Sequence, residues 1–253
     1  MNSSHQQILD SIKNTTLKLK DQQKQPLIAA FDADGTLWSV DVGEEFFEYQ
    51  LKNKLIKNPL PEDPWKYYFD LKKQDPRAAY LWFAQVLKGH SVEEVQEWNK
   101  ALVESLRPFS LFEFQKQLIE FFHKNNVEVY VVTASIKWAV EAPASLYGIK
   151  ASNVVGVKTA IENGIITDKQ DGAVTYREGK VEGLLETTKN IHPFFAAGNT
   201  MGDYELLKSS ESLKLAVHSV DESHPNFNTE QELQTEAHKN SWLQLVYPKT
   251  AIL

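Results

Sequence analysis

The stretch Phe31-Asp-Ala-Asp-Gly-Thr-Leu-Trp38 (FDADGTLW) follows an apolar run, PLIAA, over Pro26 to Ala30. A short apolar run that stops at Asp and Gly reads as a buried strand ending in a turn. Asp32 and Asp34 lie one residue apart at its mouth, where two carboxylates repel and raise each other's pKa. A chain that keeps them there needs a cation to set against them. A calcium loop of the EF-hand type does not supply the reason, since such a loop wants Gly at its sixth position and a carboxylate at its twelfth. Here the fourth position is Gly35 and the twelfth is Gly43.

Outward from this strand the texture alternates. Ile8, Leu9, Ile12 and Leu19 form an apolar stripe upstream, which predicts an N-terminal helix. Downstream, further strands are expected in VEVYVVT (Val127 to Thr133), NVVGVKTAI (Asn153 to Ile161), PFFAAG (Pro193 to Gly198) and LKLAVHS (Leu213 to Ser219). Asn163-Gly164 is a hairpin turn signal. Ser91 with Glu94, and Ser110 with Glu113, have capping-box spacing and predict helix starts. Strands separated by helical patterns imply an α/β fold, a Rossmann-like three-layer core with a mostly parallel sheet. Between about Gly43 and Arg107 strand-like runs vanish and tryptophans concentrate, so residues 43–107 are expected to form a helical insertion in a core of residues 1–42 and 108–253.

In parallel α/β sheets, ligands sit at the carboxyl ends of the strands. The polar residues there are Asp32 and Asp34 after the first strand, Thr133, Ala134 and Ser135 after the second, and Asn199 and Asp203 after PFFAAG; Lys180 lies ahead of a helical pattern in REGKVEGLL. Taken singly, Thr133 is a strand-end residue, Lys180 a surface lysine, and Asn199 and Asp203 loop and cap residues. Together they leave negative charge that a divalent cation resolves, and a set of oxygen ligands suits Mg²⁺ with a phosphate. A carboxylate held against a metal-bound phosphoryl group can attack phosphorus, and a second carboxylate nearby can handle protons.

At this point the chain resembles a haloacid dehalogenase-superfamily phosphatase of the phosphoserine-phosphatase-like branch, over about residues 26 to 245, with its sequence motifs in order. FDADGTLW matches the first motif, and the resemblance implies Asp32 as nucleophile and Asp34 as general acid and base. VYVVTAS, GKVEGL and AAGNTMGDYELL resemble the second, third and fourth motifs. They imply Thr133 as a phosphate ligand, Lys180 as a charge neutraliser, and Asn199 and Asp203 beside Asp32 and Asp34 on the metal side. The insertion falls where that branch carries its helical C1 cap. The fourth motif usually begins Gly-Asp, whereas here it is Gly198-Asn199, which offers a carbonyl oxygen without charge. The implied activity is a Mg²⁺-dependent phosphomonoesterase working through an aspartyl-phosphate on a small phosphorylated metabolite. A phosphate-ester-binding protein that has lost turnover through Asn199, and a phosphotransferase, carry the same motifs and stay open. Dehalogenation would leave Asp34 unexplained.

In phosphoserine phosphatases an acidic residue shortly after the first motif recognises the substrate amine, so Asp41, Glu44 and Glu45 are candidates here, with Ala134 and Ser135 beside the phosphate. DVGEEFF also resembles phosphorylcholine phosphatases, and the insertion offers Trp65, Tyr67, Tyr68, Tyr80, Trp82 and Trp98 for cation–π contact with an ammonium. The plainer alternative is that these rings pack the insertion. A formal net charge of −7 over 253 residues argues against a nucleic-acid partner. No apolar run approaches the length of a membrane span, and the chain reads as a cytoplasmic protein. The absence of cysteine excludes disulfides and thiolate metal sites.

Overall fold

The structure, a computed structural model, describes residues 3–22 and 25–247. The first strand, β1 (Ile28–Phe31), is buried at every position. It lies between β2 (Glu128–Ile136) and β6 (Phe195–Gly198), parallel to both. A strand covered on both faces has no solvent side, which is why IAAF is uninterrupted rather than alternating. With β3 (Val154–Val157), β7 (Leu213–His218) and β8 (Leu243–Val246), these strands form a six-stranded sheet in the order β3-β2-β1-β6-β7-β8.

The chain divides into two compact units. The first comprises Met1–Val40, Ser110–Val131 and Leu184–Leu253. Its helices include α1 (Ser3–Gln22), which buries His5, Leu9, Ile12 and Thr16 at helical spacing, and α6 (Glu113–Lys124), which buries Phe114, Leu118, Ile119 and Phe122. The rings of Phe31, Phe122 and Phe195 meet with centroids 5.2–6.2 Å apart. Beyond β6 a short turn, Met201–Asp203, leads into α9 (Tyr204–Ser209), and α10 (Phe227–Lys239) follows β7. Leu207, Ala216, Leu233 and Ala237 are all fully buried in a second cluster of this unit.

The second unit comprises Asp41–Phe109 and Val132–Gly183. It holds four helices from the expected insertion, α2 (Val42–Lys52), α3 (Pro64–Gln74), α4 (Pro76–Gln85) and α5 (Val92–Ser105), together with α7 (Lys137–Ser145). Helix α8 (Glu178–Thr187) begins in this unit and ends in the first. The strands β4 (Thr159–Glu162) and β5 (Ile165–Gln170) pair antiparallel as a hairpin. Asn163 and Gly164 both take positive φ at its turn, as Asn-Gly hairpins require.

Two local expectations are corrected and one strand is added. NVVGVKTAI is not one strand: its first half enters the main sheet as β3 and its second half the separate hairpin. Ser91 and Glu94 do form a reciprocal capping box, but Ser110 and Glu113 do not. Phe112 occupies the cap position of α6, because its buried ring stacks on Tyr247 and its N–H donates to Leu37 O at 3.0 Å. The edge strand β8, LQLV, is half exposed and carries too short an apolar pattern to stand out. Among the described residues, no helix is long and apolar enough to cross a membrane.

Phe31 is wholly buried among rings, so Phe31→Ala leaves a cavity beneath β1. Chemical denaturation should show a loss of about 3–5 kcal/mol.

Candidate active site

In the first unit, the loop after β1 folds back on itself. Asp32 N–H still donates to Ala197 O at 2.8 Å, as though the strand continued for one residue. Gly35 N–H then donates to Trp38 O at 2.8 Å and Leu37 N–H to Ala33 O at 2.8 Å, closing the turn. Asp32 is buried, and its Oδ2 accepts the hydroxyl of the wholly buried Thr36 at 3.0 Å. The same hydroxyl lies 3.4 Å from the side-chain Oδ1 of Asn199, so a carboxylate oxygen and an amide oxygen converge on one small group.

Asp34 is oriented from the other side of the turn. The indole N–H of Trp38 donates to its Oδ1 at 2.8 Å. That bond fixes the orientation of the carboxyl group about its own loop. Asp203 turns back on its own loop: its Oδ2 accepts from the N–H groups of Asn199 and Thr200 at 3.1 and 3.0 Å and lies 3.2 Å from the Thr200 hydroxyl. Among the described residues no three Asp, Glu or His side chains gather at one point, so the aspartates do not form a carboxylate triad. Each of them is turned toward a donor of its own loop.

Asn199 is held by a residue that sequence reasoning missed. Its Nδ2 donates to Oε1 of Glu230 at 2.7 Å, and Glu230, from the first turn of α10, is completely buried. Oε2 of Glu230 accepts from the N–H groups of Ser219 and Val220 at 2.8 and 3.3 Å. His218 Nδ1 lies 3.0 Å from the same oxygen, an ion-pair contact when the ring is protonated rather than an aligned hydrogen bond. Ser219 Oγ donates to Gly35 O at 2.9 Å, which ties this network to the first motif. Thr36 and Trp38 stood in that motif without an assigned role. Glu230 lies in a polar helix, NTEQELQTEAHK, where nothing in the pattern separates a buried glutamate from exposed ones.

In the second unit, Thr133 lies on β2, where its O accepts the Thr175 hydroxyl and its Oγ1 accepts Ser135 N–H at 3.0 Å. Ala134 and Ser135 are half-buried beside it. Lys180 is on the first turn of α8 and is buried, contrary to a plain surface lysine. Asp41 caps α2, accepting Glu44 N–H at 2.9 Å. Gly43 follows, and a Cβ there would come within 2.7 Å of Ser135 Oγ, so the start of α2 lies directly against Ser135.

Glu44 pairs with Lys72 at 3.4 Å, while Glu45 is exposed. Burial, together with the neighbouring Asp41, pushes the Glu44 carboxyl up against the opposing pull of Lys72. The Lys72 ammonium also lies 5.2 and 5.4 Å from the ring centroids of Tyr68 and Tyr80. The remaining aromatics mostly pack on one another: Phe47 against Trp65, Trp82 and Phe83, and Tyr68 stacked on Phe83 at 3.9 Å. The packing role expected for these rings accounts for most of them, and Tyr68 and Tyr80 already have the Lys72 ammonium beside them.

The comparisons with known proteins agree with this architecture. The family model for haloacid dehalogenase-like hydrolases matches residues 29–208, and the chain belongs to that family. Phosphorylcholine phosphatase from Pseudomonas aeruginosa is 24% identical over 201 residues, 64% of this chain and 56% of that protein, so the chain spans little more than half of its length. Protein CicA from Caulobacter vibrioides is 28% identical over 187 residues, 72% of this chain and 82% of that protein. Among solved structures, a Bordetella pertussis protein of unknown function superimposes with a TM-score of 0.70 at 17% identity, covering 88% of this chain and 99% of that one. A phosphoserine phosphohydrolase-like protein from Francisella tularensis does so with 0.54 at 17% identity, covering 87% and 94%.

Gly35 has φ +78°, and a Cβ on it would approach Asn199 Nδ2 to 2.1 Å. Gly35→Ala is therefore expected to lose at least about 1–2 kcal/mol from backbone strain alone, read by chemical denaturation. Because the Glu44 pKa is raised on folding, its contribution favours the fold at low pH and is lost as pH rises through the folded-state value. The Tm of Glu44→Gln, measured against the parent, should therefore shift in the variant's favour between about pH 4 and about pH 7.

Proposed function

We propose that the protein is a Mg²⁺-dependent phosphomonoesterase that hydrolyses a small phosphorylated metabolite through an aspartyl-phosphate on Asp32. The observation that carries this reading is the convergence of Asp32 Oδ2 and Asn199 Oδ1 on the Thr36 hydroxyl at the carboxyl end of a central parallel strand. These are hard oxygen donors with no nitrogen or sulfur among them, a set that fits Mg²⁺ better than a softer metal. Asp32 and Asn199 would hold the ion, with Asp203 keeping the Asn199 loop in place. When bound, Mg²⁺ supplies positive charge against the phosphate and against the carboxylates.

The chain's own residues then divide the chemistry. Asp32 attacks phosphorus as the phosphorus–oxygen bond to the leaving alcohol breaks, and Asp34 gives its carboxyl proton to that alcohol oxygen. Asp34, now ionised, removes a proton from the water that cleaves the aspartyl-phosphate, and both groups return to their starting state. Trp38 keeps Asp34 in one orientation through both half-reactions. Thr133 and Lys180 take their roles, as a phosphoryl-oxygen contact and a charge neutraliser, from the motifs they occupy. The four-helix insertion takes the role of a cap that selects the leaving group from its place between the first and second motifs.

Glu44 and Lys72 present charges of both signs in one place, which supports an ester whose alcohol bears an amine, with or without a carboxylate. The relative named as a phosphorylcholine phosphatase is compatible with the amine alone. Purified protein should release phosphate from one or more of phosphoserine, phosphorylcholine and phosphoethanolamine faster than from sugar phosphates, and only with Mg²⁺. Asp32→Asn should abolish turnover, and rapid acid quenching of the parent should trap a hydroxylamine-labile phosphoprotein that the variant does not form. Absence of phosphate release from the whole panel would sink the reading.

A further inference from the structure

We propose that Glu230 is the positioning residue for Asn199: it sets which end of the amide faces Asp32 and supplies, one group further out, the negative charge that an aspartate at position 199 would carry. This rests on the metal-dependent reading above and adds a residue to it. Glu230 is buried with no exposed surface, and donors face both its oxygens: the Ser219 and Val220 N–H groups on Oε2, with His218 Nδ1 3.0 Å away, and the Asn199 amide on Oε1, with the Ser219 hydroxyl at 3.3 Å. An amide that flipped would put its oxygen 2.7 Å from Glu230 Oε1, acceptor against acceptor. The carboxylate therefore fixes Asn199 Nδ2 outward, and Oδ1 is left facing Thr36 and Asp32.

The same arrangement explains why an aspartate does not stand at 199. With Glu230 in place, a carboxylate there would meet a second buried carboxylate at hydrogen-bond distance, in surroundings that screen the repulsion weakly. With the His218 ring neutral, Asn199 and Glu230 together carry one negative charge, as an aspartate with a neutral partner would. The asparagine is one half of a matched pair, so it does not read as the loss of a ligand.

A charge swap separates the roles. In Glu230→Gln, the Ser219 and Val220 amides hold the glutamine oxygen, so its NH2 faces position 199. Asn199 must then turn its oxygen outward and its NH2 toward Asp32. In Asn199→Asp two carboxylates face each other. In the double variant, aspartate at 199 accepts from glutamine at 230, and the pair is complementary again.

Two measurements are made on the full chain: Tm in EDTA, and Mg²⁺ affinity by calorimetry. Asn199→Asp should lower Tm by about 10 °C. Glu230→Gln should weaken Mg²⁺ binding by at least about tenfold, the usual cost of losing an outer partner of a ligand. The double variant should recover most of both losses, which removal of a merely structural contact would not produce. The proposal is overturned if Asn199→Asp keeps the parental Tm and binds Mg²⁺ more tightly, if Glu230→Gln keeps the parental affinity, or if the double variant does no better than the singles. Parental protein that binds no Mg²⁺ would overturn the metal-dependent reading itself, and the positioning role toward the ion with it.

Discussion

Burying negative charge at the end of a parallel strand is the constraint around which this protein is built. Water is excluded from the sheet, so each carboxylate near β1 needs donors from the chain itself. The structure meets that need locally. Thr36 serves Asp32, Trp38 serves Asp34, the loop amides serve Asp203, and two backbone N–H groups after β7 serve Glu230. The turn after β1, the turn after β6 and the segment between β7 and α10 are shaped by those bonds. This is why a stretch of eight residues, read outward, anticipates so much of the chain.

Legibility in the sequence followed physical contrast. IAAF and, after the exposed Glu128, VYVV are uninterrupted apolar runs because parallel strands are covered on both faces, and they stand out against polar helices. Asn163-Gly164 is legible because few residue pairs accept two consecutive positive φ values. The short edge strand β8 is not legible, since a half-exposed LQLV has no contrast with its surroundings. The start of α6 is misread for a related reason: a capping box is a local signal, and the burial of Phe112 against Tyr247 outweighs it.

The candidate site divides in the same way. Asp32, Asp34 and Asn199 were visible because they sit where strands end, whereas the meeting of Asp32 with Asn199 on Thr36 shows only in the folded chain. Glu230 was invisible because its importance comes from burial, and a glutamate in a polar helix gives no sign of which face it occupies. Asn199 looked like a defect as long as its partner was unknown. A substitution that changes charge at a buried position cannot be judged without the charge it faces.

Lys72 gives the second unit a character that its composition hides. Its ammonium already rests beside the rings of Tyr68 and Tyr80 and beside the carboxylate of Glu44. A cationic group brought to those rings would have to displace an internal competitor that is tethered and present at high local concentration. Affinity there is a difference between two cations rather than the full strength of either. Such a tethered rival would disfavour simple monovalent cations and favour a ligand that also brought an anion for Lys72 to hold.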